Sequence, residues 1–248
     1  MIAISAGHWK VGTGAVGFVD EVQEARRVVQ KLTQLLKQQG VIVHSIVDNQ
    51  STNQRQNLNY LVRAHNKVKR KVDVSIHFNA TNKTELLPIG TEVLVHSAKM
   101  LELANNLSVA ISNASGLKNR GAKQRNDLYF LNNSEVGAIL IEVCFVNSKE
   151  DVLLYQNNFD VICQAIADTL LQYVGMTNSE MNFSSQSLQQ LAQQIVTDQK
   201  FVQQIINQAI SRKLIQKSWQ QKLIKREITF LDVCGMALLL SKNEFYET

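Results

Sequence analysis

The chain has 248 residues, 45% of them hydrophobic, which suffices for one sizeable domain and a small one. A net charge of +5 with a pI near 9.1 favours polyanionic partners such as nucleic acid, an anionic membrane or a bacterial wall. Three cysteines without C-x-x-C spacing exclude a disulfide framework and a zinc finger, and no apolar run reaches bilayer length, so no membrane insertion is expected.

The start, MIAIS, lacks the charged and cleavable apolar segments of a secretory leader. Synthesis in the cytoplasm without a signal peptide is therefore expected, with any action outside following release or delivery. Ile2–Ser5 reads as a short strand. Glu21–Gln39 places Val22, Ala25, Val28, Val29, Leu32, Leu35 and Leu36 on one helical face, and Gly40 ends it. Val41–Val47 is rich in β-branched residues and predicts a strand. Gln54–Lys69 predicts a helix polar over most of its surface, and Val72–Phe78 another strand. Thr91–His96 follows as a strand and Lys99–Ser115 as a helix stopped by Gly116. Asp127–Leu131 and Ala138–Val146 read as strands, and Asn158–Val174 as a helix ending at Gly175. Strands regularly separated by helices predict an α/β domain over 1–175 with a largely parallel sheet.

A polar, serine-rich stretch over 176–187 predicts a linker. Beyond it, Leu188, Leu191, Ile195, Phe201, Val202, Ile205, Ile206 and Ile210 keep helical spacing, so 188–248 predicts a small all-α domain. Lys200, Arg212, Lys213, Lys217, Lys222, Lys225 and Arg226 make it basic. That charge suits retention on an anionic wall polymer; an oligomerisation module with a solvated basic face fits the same residues. Few aromatic residues accompany the charge, which argues against nucleic-acid readout.

Two chemistries compete for the loop after the first strand. Gly12-x-Gly14-x-x-Gly17 has the spelling of a dinucleotide-binding loop, which must leave its strand at once to reach a pyrophosphate. Here Ser5–Val11 intervenes, and Asp48 lies well beyond the place of the ribose-binding acid. The glycines are therefore read as letting a long loop bend. The same loop carries His8. Zinc takes imidazole nitrogen and carboxylate oxygen, and a catalytic zinc keeps three protein ligands and an open position. His8 follows the first strand, Glu21 opens the first helix, and His77 lies at the far end of VDVSIHF. All three stand where strand ends and the adjoining helix meet, although a strand histidine also fits a purely structural role. Glu142 lies inside the apolar strand AILIEVCF, where an unpartnered carboxylate is costly and burial raises its pKa. It is either a proton-transferring group beside a metal or the partner of a lysine or arginine.

SAGHW, DEVQEARRVVQKL, VDVSIHFNA, NRGAK with LYFLNN, and AILIEVCFVNSKED occur in that order. Together they resemble the zinc-dependent N-acetylmuramoyl-L-alanine amidases of bacterial autolysins and phage endolysins, over roughly Met1–Val174. The resemblance implies a twisted, mostly parallel sheet flanked by helices. It implies cleavage of the amide joining the lactyl group of N-acetylmuramic acid to L-alanine of the peptide stem, with peptidoglycan as partner. It further implies one Zn2+ held by His8, Glu21 and His77, and Glu142 as the catalytic carboxylate. Asp20 and Glu24 neighbour Glu21, which is preferred because the apolar pattern following it aligns best. Asn79, Arg120 and Lys123 are candidate substrate contacts, the two cations toward stem carboxylates. The chain departs from the family at Ser5-Ala6-Gly7-His8-Trp9, where Asp-x-Gly-His-Gly is usual, and at Phe78, where a small residue is common. The start of the chain suits an endolysin released through a membrane hole or a lysin delivered by a contractile tail. The alternative is an inactive peptidoglycan-binding module that keeps the fold.

Overall fold

Parallel strands covered on both faces must be apolar nearly throughout. β1 (Ile2–Ala6) is buried at every position, and β6 (Ala138–Phe145) at every position except Glu142. In this computed structural model the described residues are 1–175, 198–224, 228, 232–237 and 240. They fall in two units, Met1–Thr177 and Asn178–Thr248. The first unit adds β2 (Val43–Ile46), β3 (Val72–Asn79), β4 (Thr91–Val95) and β5 (Asn119–Gln124). The six strands form one sheet in the order β2-β1-β3-β6-β4-β5. β4 runs antiparallel to β6, and every other pair is parallel.

Helices α1 (Glu21–Gln38), α3 (Leu101–Ser115) and α6 (Phe159–Tyr173) cover one face of the sheet. Their Leu32, Leu107 and Ile166 join Ile4, Ile76 and Ile141 in one core. The opposite face is covered by α2 (Gln54–Asn66) and α4 (Tyr129–Asn133). There Leu61, Val62, Phe130 and Leu131 close on Leu94 and Leu140. Between β1, α2 and β3 lies a fully buried polar cluster. His65 sets Nδ1 2.8 Å from Asp73 Oδ1 and Nε2 2.9 Å from Ser5 Oγ. Arg70 completes it, its Nε and Nη2 donating to Asp73 at 2.8 and 2.9 Å.

The sheet agrees with the mostly parallel architecture expected, with two corrections between Gly116 and Ala138. Asp127–Leu131 is not a strand, because Tyr129–Asn133 winds into α4. This turns the consecutive residues Phe130 and Leu131 into one apolar cluster, which the alternation of a strand forbids. The strand of this region is β5, which has no buried residue and carries no hydrophobic pattern to betray it. The sequence reading also omitted α5 (Lys149–Asn157), capped by Ser148, whose Oγ accepts from Asp151 N at 3.3 Å.

In the second unit, α7 (Gln199–Ser211) is capped by Asp198, which accepts from Phe201 N at 3.0 Å, and α8 (Trp219–Ile224) follows. Val202, Ile206, Ile228, Val233 and Met236 form its apolar cluster. The expected linker over 176–187 lies outside the described residues, as do Lys225 and Arg226.

Candidate metal centre and the carboxyl beside it

Neighbouring parallel strands end together. Ala6 of β1 pairs with Ile76 of β3, so His8 and His77, just beyond, reach the same edge of the sheet. The loop between β1 and α1 brings Glu21 back to them. Asp20 caps α1, its Oδ1 accepting from Gln23 N at 3.0 Å and its Oδ2 from Gly12 N at 2.8 Å. Glu24 instead accepts from Tyr155 Oη at 2.6 Å and from Arg27 Nη1 at 3.3 Å. Glu21 is the acid beside both imidazoles. Its Oε1 accepts from His77 Nδ1 at 2.9 Å and from Phe78 N at 3.2 Å. Its Oε2 lies 3.2 Å from His8 Nε2 and accepts from Ala15 N at 2.7 Å.

The glycines of this loop permit that crowding. A Cβ on Gly7 would fall 1.8 Å from His77 Cε1, and one on Gly14 would fall 2.5 Å from Glu21 Oε2. Gly17 is pressed against the Val146 carbonyl, 2.4 Å from where its Cβ would stand. These residues serve close approach rather than simple bending. Burial opposes ionisation of Glu21, but hydrogen bonds from His77 and His8 outweigh it and hold the carboxyl far below the usual range.

One donor atom from each of His8, Glu21 and His77 lies within 4.8 Å of the others. Each imidazole meets its own oxygen of the Glu21 carboxylate, His77 Nδ1 at 2.9 Å from Oε1 and His8 Nε2 at 3.2 Å from Oε2. The donor set thus fits a divalent cation, whose binding would displace the protons now shared between these atoms.

Glu142 stands one strand further on. It pairs with His77 across the β3–β6 ladder and with Glu92 across the β4–β6 ladder. Cross-strand partners share a face, so His77, Glu142 and Glu92 form a row, on the same face as Leu94 and Leu140. The Glu142 Oε2 atom is buried and has no hydrogen-bond partner among the described residues. Nor does its carboxyl form an ion pair there, since Arg120 and Lys123 pair with Glu92 instead. Burial, then the negative charges of Glu21 and Glu92, push the Glu142 pKa well above its ordinary value, against a pull from Arg125.

Asn79, Arg120 and Lys123 come together around Glu92. Asn79 Nδ2 donates to Glu92 Oε1 at 3.1 Å and Arg120 Nε to Oε2 at 2.6 Å, while Lys123 Nζ also contacts Oε2. Burial opposes ionisation of Glu92, but the bonds from Lys123 and Arg120 bring its pKa below the usual value. The sequence reading missed Glu92. Its signal was the one that exposed Glu142, an acid inside a buried strand, here TEVLV.

Fold and site together define a class: an α/β domain whose His–Glu–His centre suits a divalent cation and lies beside an acid with no ion-pair partner among the described residues. Residues 2–172 match the family described as N-acetylmuramoyl-L-alanine amidase. The chain belongs to that family. It is 33% identical over 174 residues to an uncharacterized protein of Clostridium perfringens, covering 68% of this chain and 51% of that one. The chain thus spans about half the length of the curated relatives it matches. Among solved structures it is similar to the catalytic domain of the CD27L endolysin targeting Clostridia Difficile. That likeness has 29% identity and a TM-score of 0.63, and covers 69% of this chain and 96% of that one. The fold is shared with the catalytic domain of CwlV, an N-acetylmuramoyl-L-alanine amidase from Bacillus (Paenibacillus) polymyxa var. colistinus. There the identity is 24% and the TM-score 0.62, with 71% of this chain and 98% of that one covered.

Proposed function

We propose that the chain hydrolyses the amide between N-acetylmuramic acid and L-alanine of the peptidoglycan stem, with 1–175 as its catalytic domain. The observation that carries this reading is a Glu142 carboxyl, without a partner among the described residues, one strand from the His8–Glu21–His77 cluster. His8, Glu21 and His77 would hold one Zn2+, which when bound polarises the amide carbonyl and makes water nucleophilic near neutral pH. Glu142 accepts the proton that leaves the water as its oxygen joins the carbonyl carbon. It then gives that proton to the alanine nitrogen as the carbon–nitrogen bond breaks, because an unprotonated amine leaves poorly. Asn79, Arg120 and Lys123 contact the substrate, the two cations facing stem carboxylates. Residues 188–248 serve wall targeting or self-association, and the chain works as a phage-type endolysin or a tail-delivered lysin.

Digestion of purified sacculi, with and without a chelator, tests the activity. New alanine amino termini without new reducing sugar ends, lost on chelation, are the expected products. Sacculus binding with no fragment released would favour an inactive wall-binding module instead.

A further inference from the structure

Neither metal binding nor proton transfer uses Glu92, yet three side chains converge on its carboxylate. Its side chain is 7% exposed and receives Asn79 from the end of β3 and both Arg120 and Lys123 from β5. A buried carboxylate needs a partner, but one cation would neutralise it. Two leave the cluster with a net charge of one positive unit. The surplus faces solvent, since the Arg120 and Lys123 side chains are 31% and 40% exposed. Arg120 spends only Nε on Glu92, and its guanidinium carbon lies 5.1 Å from the centre of the Phe145 ring. The guanidinium is thus held at two points, and its Nη atoms make no hydrogen bond among the described residues. Lys123 keeps further N–H donors.

The distance sets what can bind. β5 lies two strands from β6, or about 10 Å at the usual strand spacing. An extended peptide spans that in about three residues. We propose that Glu92 is a positioning residue that holds Arg120 and Lys123 as a receptor for one free carboxylate of the peptide stem, within about three residues of the scissile amide. The site therefore discriminates stems whose carboxylate is free from stems in which it is amidated. This inference rests on the amidase reading of the same site.

The test uses the full-length, metal-replete protein with two synthetic muramyl peptides, identical except that the stem carboxylate near the cut is free in one and amidated in the other. The wild type should show a KM about tenfold lower for the acid, the value of one charge-assisted contact. Glu92→Gln should raise KM for the acid about tenfold while the KM for the amide stays within about twofold. Metal content and melting temperature identify a folding defect. If Glu92→Gln does not fold, Lys123→Met should abolish the KM preference for the acid over the amide, and a retained preference overturns the proposal. A purely structural Glu92 would change both peptides alike, and that result overturns the proposal. Binding of both peptides to Glu142→Gln separates the two readings. Cleavage by wild type without preference for the acid removes the receptor and leaves the amidase. Selective binding of the acid with no cleavage by wild type removes the amidase and leaves the receptor.

Discussion

Glu142, half-buried with its Oε2 atom sealed in, and Asp73, fully buried, have pKa values that move in opposite directions. Burial and the charges of Glu21 and Glu92 raise Glu142 above its unfolded value. The folded chain then binds more protons than the unfolded one, so stability falls as pH rises through the unfolded pKa toward the folded one. In metal-free protein, Glu142→Gln should melt a few degrees higher than wild type at pH 7, with the difference vanishing near pH 4. Thermal melts at both pH values check this. The same variant should keep metal content while amine release falls by about 10²–10⁴-fold. For Asp73, burial is outweighed by His65 and Arg70, which hold its pKa down. Its contribution is complete above the unfolded pKa and is lost as pH falls through the folded one. Asp73→Asn should cost about 3–5 kcal/mol at pH 7 and flatten the acid side of a urea-midpoint profile. An acid in an apolar strand can be noticed in a sequence, as Glu142 was. Its pairing cannot: TEVLV and AILIEVCF look alike, yet Glu92 is bound by two cations and Glu142 by none among the described residues.

At the scale of elements, the β1–α1 loop is sensitive to added atoms at Gly7, Gly14 and Gly17. A methyl group on Gly14 meets a carboxylate oxygen fixed by Ala15 N and beside His8, so Glu21 must shift. Gly14→Ala should weaken metal binding at least about tenfold in a chelator-competition assay, with little loss of helix content. Asp20→Ala should instead lower stability by about 1 kcal/mol, read from the denaturation midpoint, because it removes the α1 cap. The strands and helices that carry the centre were visible through periodicity, since burial on one or both faces writes itself into apolar spacing. What escaped was built without such spacing. β5 is polar because it is an edge, and α4 is a five-residue helix whose tandem aromatic and aliphatic residues imitate a strand.

For the whole molecule, every residue assigned to the centre, and every partner named for it, lies within Met1–Thr177, which has its own core. A fragment of that length should fold and cleave a soluble muramyl peptide with kcat/KM within about threefold of the full chain. Its retention on sacculi at low salt should drop if the basic residues of 188–248 bind the wall, and a co-sedimentation assay decides the point. The order of widely separated motifs was enough to foresee a mostly parallel sheet flanked by helices, whereas the task of 188–248 left no comparable trace in its glutamine-rich sequence. β5 is an edge strand that among the described residues pairs only with β4, while His77 and Glu142 ride on strands in mid-sheet. Mutations on that rim meet solvent on their free side and disturb few neighbours. Taste and cutting power can therefore evolve apart: a lineage pursuing hosts that redecorate their walls can retune the rim and inherit the blade unchanged.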